Sequence, residues 1–264
     1  MAHDMTTTEE NNDSLYSGEA SREMIEAGVF YGHRKSKTNP KMKQFVFGNR
    51  GGVDIINLQK TVEMLESALE FIKEKTKNNG LILFVGTEPA AEASILAIAK
   101  EFEMPYVTVR WIGGTITNFK IILKRVEYLK KTRSDLATGA LDKYTKKERL
   151  EMEKEVHRLE QLMGGLENLS REPDVLIVVN PVVHSSAIRE AKRKKIPIVA
   201  LANMDADPDD IDYCVPGNDK AKASIAWFLK NIETAIKEGV SKRSAPVAEM
   251  PNGVVGVVID NDEK

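Results

Sequence analysis

Leu81-Ile82-Leu83-Phe84-Val85 is an unbroken apolar run, and its reading decides the fold. A strand with one wet face alternates apolar and polar residues, whereas a parallel strand buried on both faces is hydrophobic throughout. Val175-Leu176-Ile177-Val178-Val179 and Ile196-Pro197-Ile198-Val199-Ala200-Leu201 repeat the pattern. Met104 to Val109 and Val53 to Leu58 add further strand-like stretches rich in β-branched residues. Between these runs the period changes. Lys60 to Lys77 carries Val62, Leu65, Leu69 and Ile72 at helical spacing, and Ala90 to Phe102, Ser185 to Lys194 and Lys220 to Lys237 also read as helices. Pro216-Gly217-Asn218-Asp219 caps the last of them. Near the amino end Ser21 is a cap for a short helix with Met24 and Ile25 turned inward. Strands alternating with helices predict an α/β protein whose parallel sheet is covered on both faces.

The bulk numbers narrow the class. At 264 residues the chain is long for one domain and short for two, and 42% hydrophobic residues supply an ample core. Net charge is only −2, so any affinity for nucleic acid must be local. One cysteine, Cys214, excludes an intrachain disulfide and a multi-cysteine zinc site. No apolar run reaches the roughly 20 residues of a membrane span. A soluble, cytoplasmic protein is expected. Residues 1–14 are polar and acidic and are expected to be disordered, as is the tail 241–264 despite its Val254 to Ile259 patch. The body is expected over 15–240.

An insertion interrupts the body at about 118–166. Phe119, Ile122, Val126 and Leu129 alternate steps of three and four, as do Met152, Val156, Leu159, Met163 and Leu166, with dense charge between. Broken at Ala137-Thr138-Gly139, these stripes predict an antiparallel coiled-coil helical hairpin with one narrow seam. Such a pair is expected to project, so that the body folds without Lys124 to Gln161.

Local charge is where function shows. Six Lys or Arg and no acid lie between Glu26 and Asp54, in a stretch that interleaves Phe45-Val46-Phe47 with the charge. A solvated basic loop over an edge strand is the plain alternative. The one-sided charge favours a surface for phosphate and sugar. A second stretch, Val109-Arg110-Trp111-Ile112-Gly113-Gly114-Thr115-Ile116-Thr117-Asn118-Phe119-Lys120, places an Arg, a Trp and a row of amides at a strand's carboxyl end. Thr115, Thr117 or Asn118 can cap the helix that follows. Taken alone, this stretch reads as an ordinary turn with a core Trp. The acidic loop Asn203 to Asp212 lacks the EF-hand spacing and reads as a solvated turn rather than a cation site.

Six blocks together resemble the bacterial small-subunit (30S) ribosomal protein S-two family, from about Met24 to Gly239. They are Glu26-Ala27-Gly28-Val29-Phe30-Tyr31-Gly32-His33, Asn39-Pro40-Lys41-Met42, Ile56-Asn57-Leu58-Gln59-Lys60-Thr61, Leu83-Phe84-Val85-Gly86-Thr87, Arg110 to Phe119 and Val215-Pro216-Gly217-Asn218-Asp219. The resemblance implies a flavodoxin-like three-layer α/β/α body with a protruding coiled-coil arm. It implies a structural role on small-subunit (16S) rRNA at the head–body junction. It also implies help in docking the largest small-subunit protein, a messenger-RNA binder. Asn180 and Asn203 stand where relatives commonly have Asp, and no metal or other cofactor is assigned. On this reading His33, Arg34, Lys35, Lys37, Lys41, Lys43 and Arg50 face phosphates. Asn39, Thr115 and Asn118 bond backbone oxygens, Arg110 and Trp111 contact or stack, and Lys120, Lys124 and Arg125 extend the surface. The rival class, a nucleotide-dependent enzyme of flavodoxin-like fold, needs a phosphate cradle and an acid/base pair. The turn Gly86-Thr87-Glu88-Pro89 lacks the glycine spacings of such cradles, and the four histidines are scattered.

Overall fold

The apolar runs become the middle of one parallel sheet. The computed structural model describes residues 19–141 and 144–243. Strands β4 (Ile82–Val85), β5 (Tyr106–Val107), β6 (Val175–Val179), β7 (Ile198–Ala202) and β8 (Tyr213–Pro216) pair in the order β5-β4-β6-β7-β8, all in parallel. Every residue of β4, β6 and β7 is buried, as continuous hydrophobicity requires. This is the flavodoxin-like order, with the switch point between β4 and β6. Strand β5 is shorter than the run Met104 to Val109. It lies at the sheet edge with one neighbour, and its ladder ends where the Gly86 amide donates to the Val107 carbonyl at 3.0 Å.

A second, antiparallel sheet precedes the first, in the order β1-β3-β2 from β1 (Tyr31–Arg34), β2 (Val46–Arg50) and β3 (Val53–Ile56). The basic stretch therefore begins as a strand. Asn57 ends β3 and starts a helix, because its Oδ1 accepts from the amides of Gln59 (3.0 Å) and Lys60 (3.4 Å). Helix α1 (Glu19–Glu26) buries Met24 completely, but Ile25 is 39% exposed rather than turned inward.

Helices α2 (Leu58–Lys77), α3 (Pro89–Glu101) and α7 (Lys222–Ser241) cover one sheet face with a core that includes Ile72, Ile95, Phe228 and Ile232. Asn218 organises the entry to α7 by accepting from the amides of Lys220 (3.0 Å) and Ala221 (3.2 Å). The opposite face is covered by α6 (Ser185–Lys194) and by the insertion, α4 (Phe119–Ala137) and α5 (Lys146–Met163). Of the terminal segments expected to be disordered, 1–14 and 244–264 lie outside the described residues, whereas Ser241 is the last residue of α7.

The insertion differs from a free-standing arm. Ile122, Val126 and Leu129 are at most 4% exposed and form one continuous core with Val85, Val107, Leu176 and Val178 of the sheet. A two-helix seam standing in water could not bury them so fully. Between the two helices Arg133 pairs with Glu160 at 3.6 Å, and just beyond α5 it pairs with Glu167 at 2.8 Å. Lys130 Nζ also reaches the Glu167 carbonyl, at 2.8 Å. The second half of α5 carries the buried Val156 and Met163, whereas Leu150 in its first half is 50% exposed. Just after α5, Gly165 packs so closely that a Cβ would overlap the Tyr106 carbonyl.

Deleting Lys124 to Gln161 would take the buried Val126, Leu129 and Val156 out of the core, so burial argues against a body that folds without that stretch. Leu129→Ala should cost about 2–5 kcal/mol in urea unfolding. Leu150→Ala should stay within about 0.5 kcal/mol. Equal effects would contradict this division of the insertion.

Candidate nucleic-acid interface

The loop after β5 is built around a residue from α6. Glu190 is 8% exposed. Its Oε1 accepts from Trp111 Nε1 (3.0 Å) and the Gly114 amide (2.8 Å). Its Oε2 accepts from the amides of Ile116 and Thr117 and from Thr117 Oγ1, each at 3.1 Å. Gly114 makes the turn at φ +91°, where a side chain would be strained. Burial pushes the Glu190 carboxyl pKa up, but the Gly114, Trp111, Thr117 and Ile116 donors outweigh it and hold the group below its ordinary value. The row of amides read as open to a ligand is thus closed by the chain's own carboxylate.

One expected contact falls with it. Thr115 is fully buried and its hydroxyl donates to the Ile112 carbonyl at 2.6 Å, so it faces no RNA. Neither threonine caps α4. Asn118 occupies the cap position without a side-chain bond, which leaves its exposed amide group free. Trp111 is half-buried, its ring held by Glu190.

Beside this loop, α4 and α5 leave between them an open groove of about 700 Å³, lined by Arg110, Trp111, Lys124, Arg125, Tyr128 and Arg158 among others. Lys124, Arg125 and Tyr128 share one face of α4. Arg110, Lys124, Arg125 and Arg158 are exposed, and none has an ion pair with another described residue. Lys120 is likewise exposed on the first turn of α4.

The basic hairpin divides into free and neutralised charge. Arg34, Lys35, Lys37, Lys43 and Arg50 are exposed and carry no described ion pair. Lys41 is different. Its ammonium sits 2.6 Å from Asp209 and 2.9 Å from Asp207, and these carboxylates raise its pKa well above the ordinary lysine value. His33 Nε2 lies 3.4 Å from Asp205 Oδ2. Asn39 spends its side-chain oxygen on the Lys41 amide (3.0 Å) and its own amide on the Met204 carbonyl (2.7 Å). Lys41 and Asn39 are therefore engaged within the chain, at positions where the sequence suggested contacts to RNA.

The acidic loop is their counterpart rather than a solvated turn. Asp207 and Asp209 hold Lys41, Asp210 holds Lys192 at 2.5 Å, and Asp212 accepts from the Ile198 amide at 2.9 Å. Among the described residues no three His, Cys, Asp or Glu side chains converge as a metal site.

At the carboxyl edge of the sheet, His184 Nε2 accepts from the Thr87 amide (3.2 Å), so Nδ1 carries the proton and donates to the Asn180 carbonyl (2.8 Å). Glu88 Oε1 is taken by Lys220 at 2.6 Å and by Asn180 Nδ2 at 3.3 Å. The βα turn at Gly86 to Pro89 is filled by internal bonds.

A model of the family described as ribosomal protein S2 matches residues 24–239. The small ribosomal subunit protein uS2 of Geotalea uraniireducens is 40% identical over 223 residues, covering 84% of this chain and 87% of that protein. The uS2 of Mycolicibacterium paratuberculosis is also 40% identical over 223 residues, covering 84% and 81%. The chain belongs to the ribosomal protein S2 family. The matched span contains every candidate residue from His33 to Arg125. It also contains three that the sequence reading passed over: Glu190, Tyr128 and Arg158. Glu190 carried no signal except an acid inside a basic helix, and the other two lay among the positions between the apolar stripes. The relatives are named as small-subunit proteins, not as enzymes, and the filled βα turn gives the nucleotide reading no cradle. No helix among the described residues is long and apolar enough to cross a membrane.

Glu190→Ala leaves buried donors without an acceptor and should cost at least about 1–3 kcal/mol. Trp111 emission should shift to the red, read against a Trp111→Phe control that leaves Trp227; unchanged emission and stability would show that the clamp carries no weight. His184 gives a pH test. Burial lowers its pKa below the ordinary 6.5, only partly offset by the Asn180 and Val179 backbone bonds. Above about pH 6.5 both states are neutral. Below it the unfolded chain binds the proton first, so stability falls with pH until the folded group also titrates. His184→Gln should flatten that part of the stability curve, and an unchanged slope would assign it to other groups.

Proposed function

We propose that this protein is a structural constituent of the small ribosomal subunit, in the cytoplasm, that binds 16S rRNA at the head–body junction. The observation that carries the reading is unneutralised charge. In a chain of net charge −2, Arg34, Lys35, Lys37, Lys43 and Arg50 on the hairpin lack internal partners, as do Arg110, Lys124, Arg125 and Arg158 at the groove, among the described residues. Free cations release condensed counterions on meeting phosphates, and that term dominates affinity for folded RNA. Most of these contacts position the protein rather than read bases.

The same protein helps to dock the largest small-subunit protein. Support comes from the outer face of the hairpin sheet, where Tyr31 is 51% and Phe47 45% exposed beside Ile25. These residues line an open depression of about 740 Å³. Exposed aromatic clusters of this kind mark protein contacts.

Alanine at Arg34, Lys35, Lys43, Lys124 or Arg125 should each lower the salt slope of rRNA binding by about 1. Lys41→Ala should leave the slope unchanged, because its charge is already spent on Asp207 and Asp209. The quintuple change of Arg34, Lys35, Lys37, Lys43 and Arg50 to Ala should fold yet fail to enter the subunit on sucrose gradients. Normal incorporation of that folded variant would refute the reading.

A further inference from the structure

The groove between α4 and α5 has more in it than a basic strip needs. Tyr128 is 46% and Ile121 50% exposed at its wall, and Leu159 and Leu162 lie in its floor. Large apolar groups left in water beside unpaired cations are a costly arrangement for a surface that only neutralises phosphates. We propose that this groove receives a single unpaired RNA nucleotide, its base against Tyr128 and the Trp111 edge and its flanking phosphates on Arg110, Lys124, Arg125 and Arg158. The proposal rests on the RNA-binding reading above and names the ligand of one of its two surfaces.

Three observations converge on it. The volume, about 700 Å³, falls within the range of pockets that enclose a small ligand. An A-form duplex is convex, and it presents ribose and phosphate while its bases stay stacked inside. It would engage the four cations and leave Tyr128 and Ile121 idle. An unpaired base offers a π face that any aromatic can stack on, whatever the sequence.

The site is also rigid before anything binds. Trp111 is fixed through its indole by Glu190, and the same carboxylate holds the loop that starts at Arg110. Tyr128 rides on a helix whose opposite face, Ile122, Val126 and Leu129, is locked into the sheet core. Preorganised aromatic walls lose little entropy on binding. Glu155 is the one carboxylate in the lining, and four cations outnumber it.

The full-length protein should be titrated with two short RNA hairpins that differ only in one bulged 2-aminopurine. The bulged RNA should bind at least about fivefold more tightly, with quenching of the 2-aminopurine fluorescence as the base stacks. Tyr128→Ala should remove both the preference and the quenching while leaving the salt slope intact, and Tyr128→Phe should keep both. Equal binding of the two hairpins without quenching would overturn the proposal and leave the RNA-binding reading standing. So would full quenching in Tyr128→Ala. Failure of both hairpins to bind above a neutral control protein would overturn the two readings together.

Discussion

Glu190 takes hydrogen bonds from five donors spread over Trp111 to Thr117, and the candidate interface is built on that one carboxylate. Burying a lone carboxylate costs several kcal/mol. Hydrogen bonds to a charged group each return about 1.5–3 kcal/mol, so a single donor would not suffice and five do. The bonds join α6 to a glycine turn that has no packing side chain of its own. They orient the indole of Trp111, set the start of α4 and so set one wall of the groove. They also remove the turn from the set of anion sites, which turns the chemistry of the loop outward, from its amides to its side chains.

Charge elsewhere is sorted by the same logic of internal partners. The acidic loop after β7 does not offset the basic hairpin evenly. Asp207 and Asp209 both fall on Lys41, and Asp205 falls on His33, while Arg34, Lys35, Lys37, Lys43 and Arg50 are left to solvent. One lysine becomes a strut between the hairpin and the sheet, and its neighbours remain available to a polyanion. A nearly neutral chain can in this way present strongly basic patches. Counting net charge conceals them.

The carboxyl edge of the sheet, where proteins of this architecture hold cofactors, is occupied here by the chain itself. His184 bridges the ends of β4 and β6, Glu88 is paired with Lys220, and Asn203 donates to the buried Asp219 at 3.1 Å. The fold is shared with enzymes and the site is not. On the proposed reading, function in this member of the ribosomal protein S2 family sits on the basic hairpin and the insertion instead.

The amino-acid sequence by itself determined the sheet, its parallel strands and the helices between them. Burial on both faces forces continuous apolar runs such as Leu81 to Val85, and that is a local property of the chain. It also located the two basic stretches, because a lack of acids between Glu26 and Asp54 can be read without coordinates. Only the tertiary structure decided which charges are free, since Lys41 meets Asp207 and Asp209 across some 166 residues of chain and Glu190 meets Gly114 across 76. It decided as well that the stripe at Ile122, Val126 and Leu129 joins one core with the sheet and with Val156 and Met163 of α5. Helical spacing shows that a face is apolar, and nothing in that spacing says what covers it.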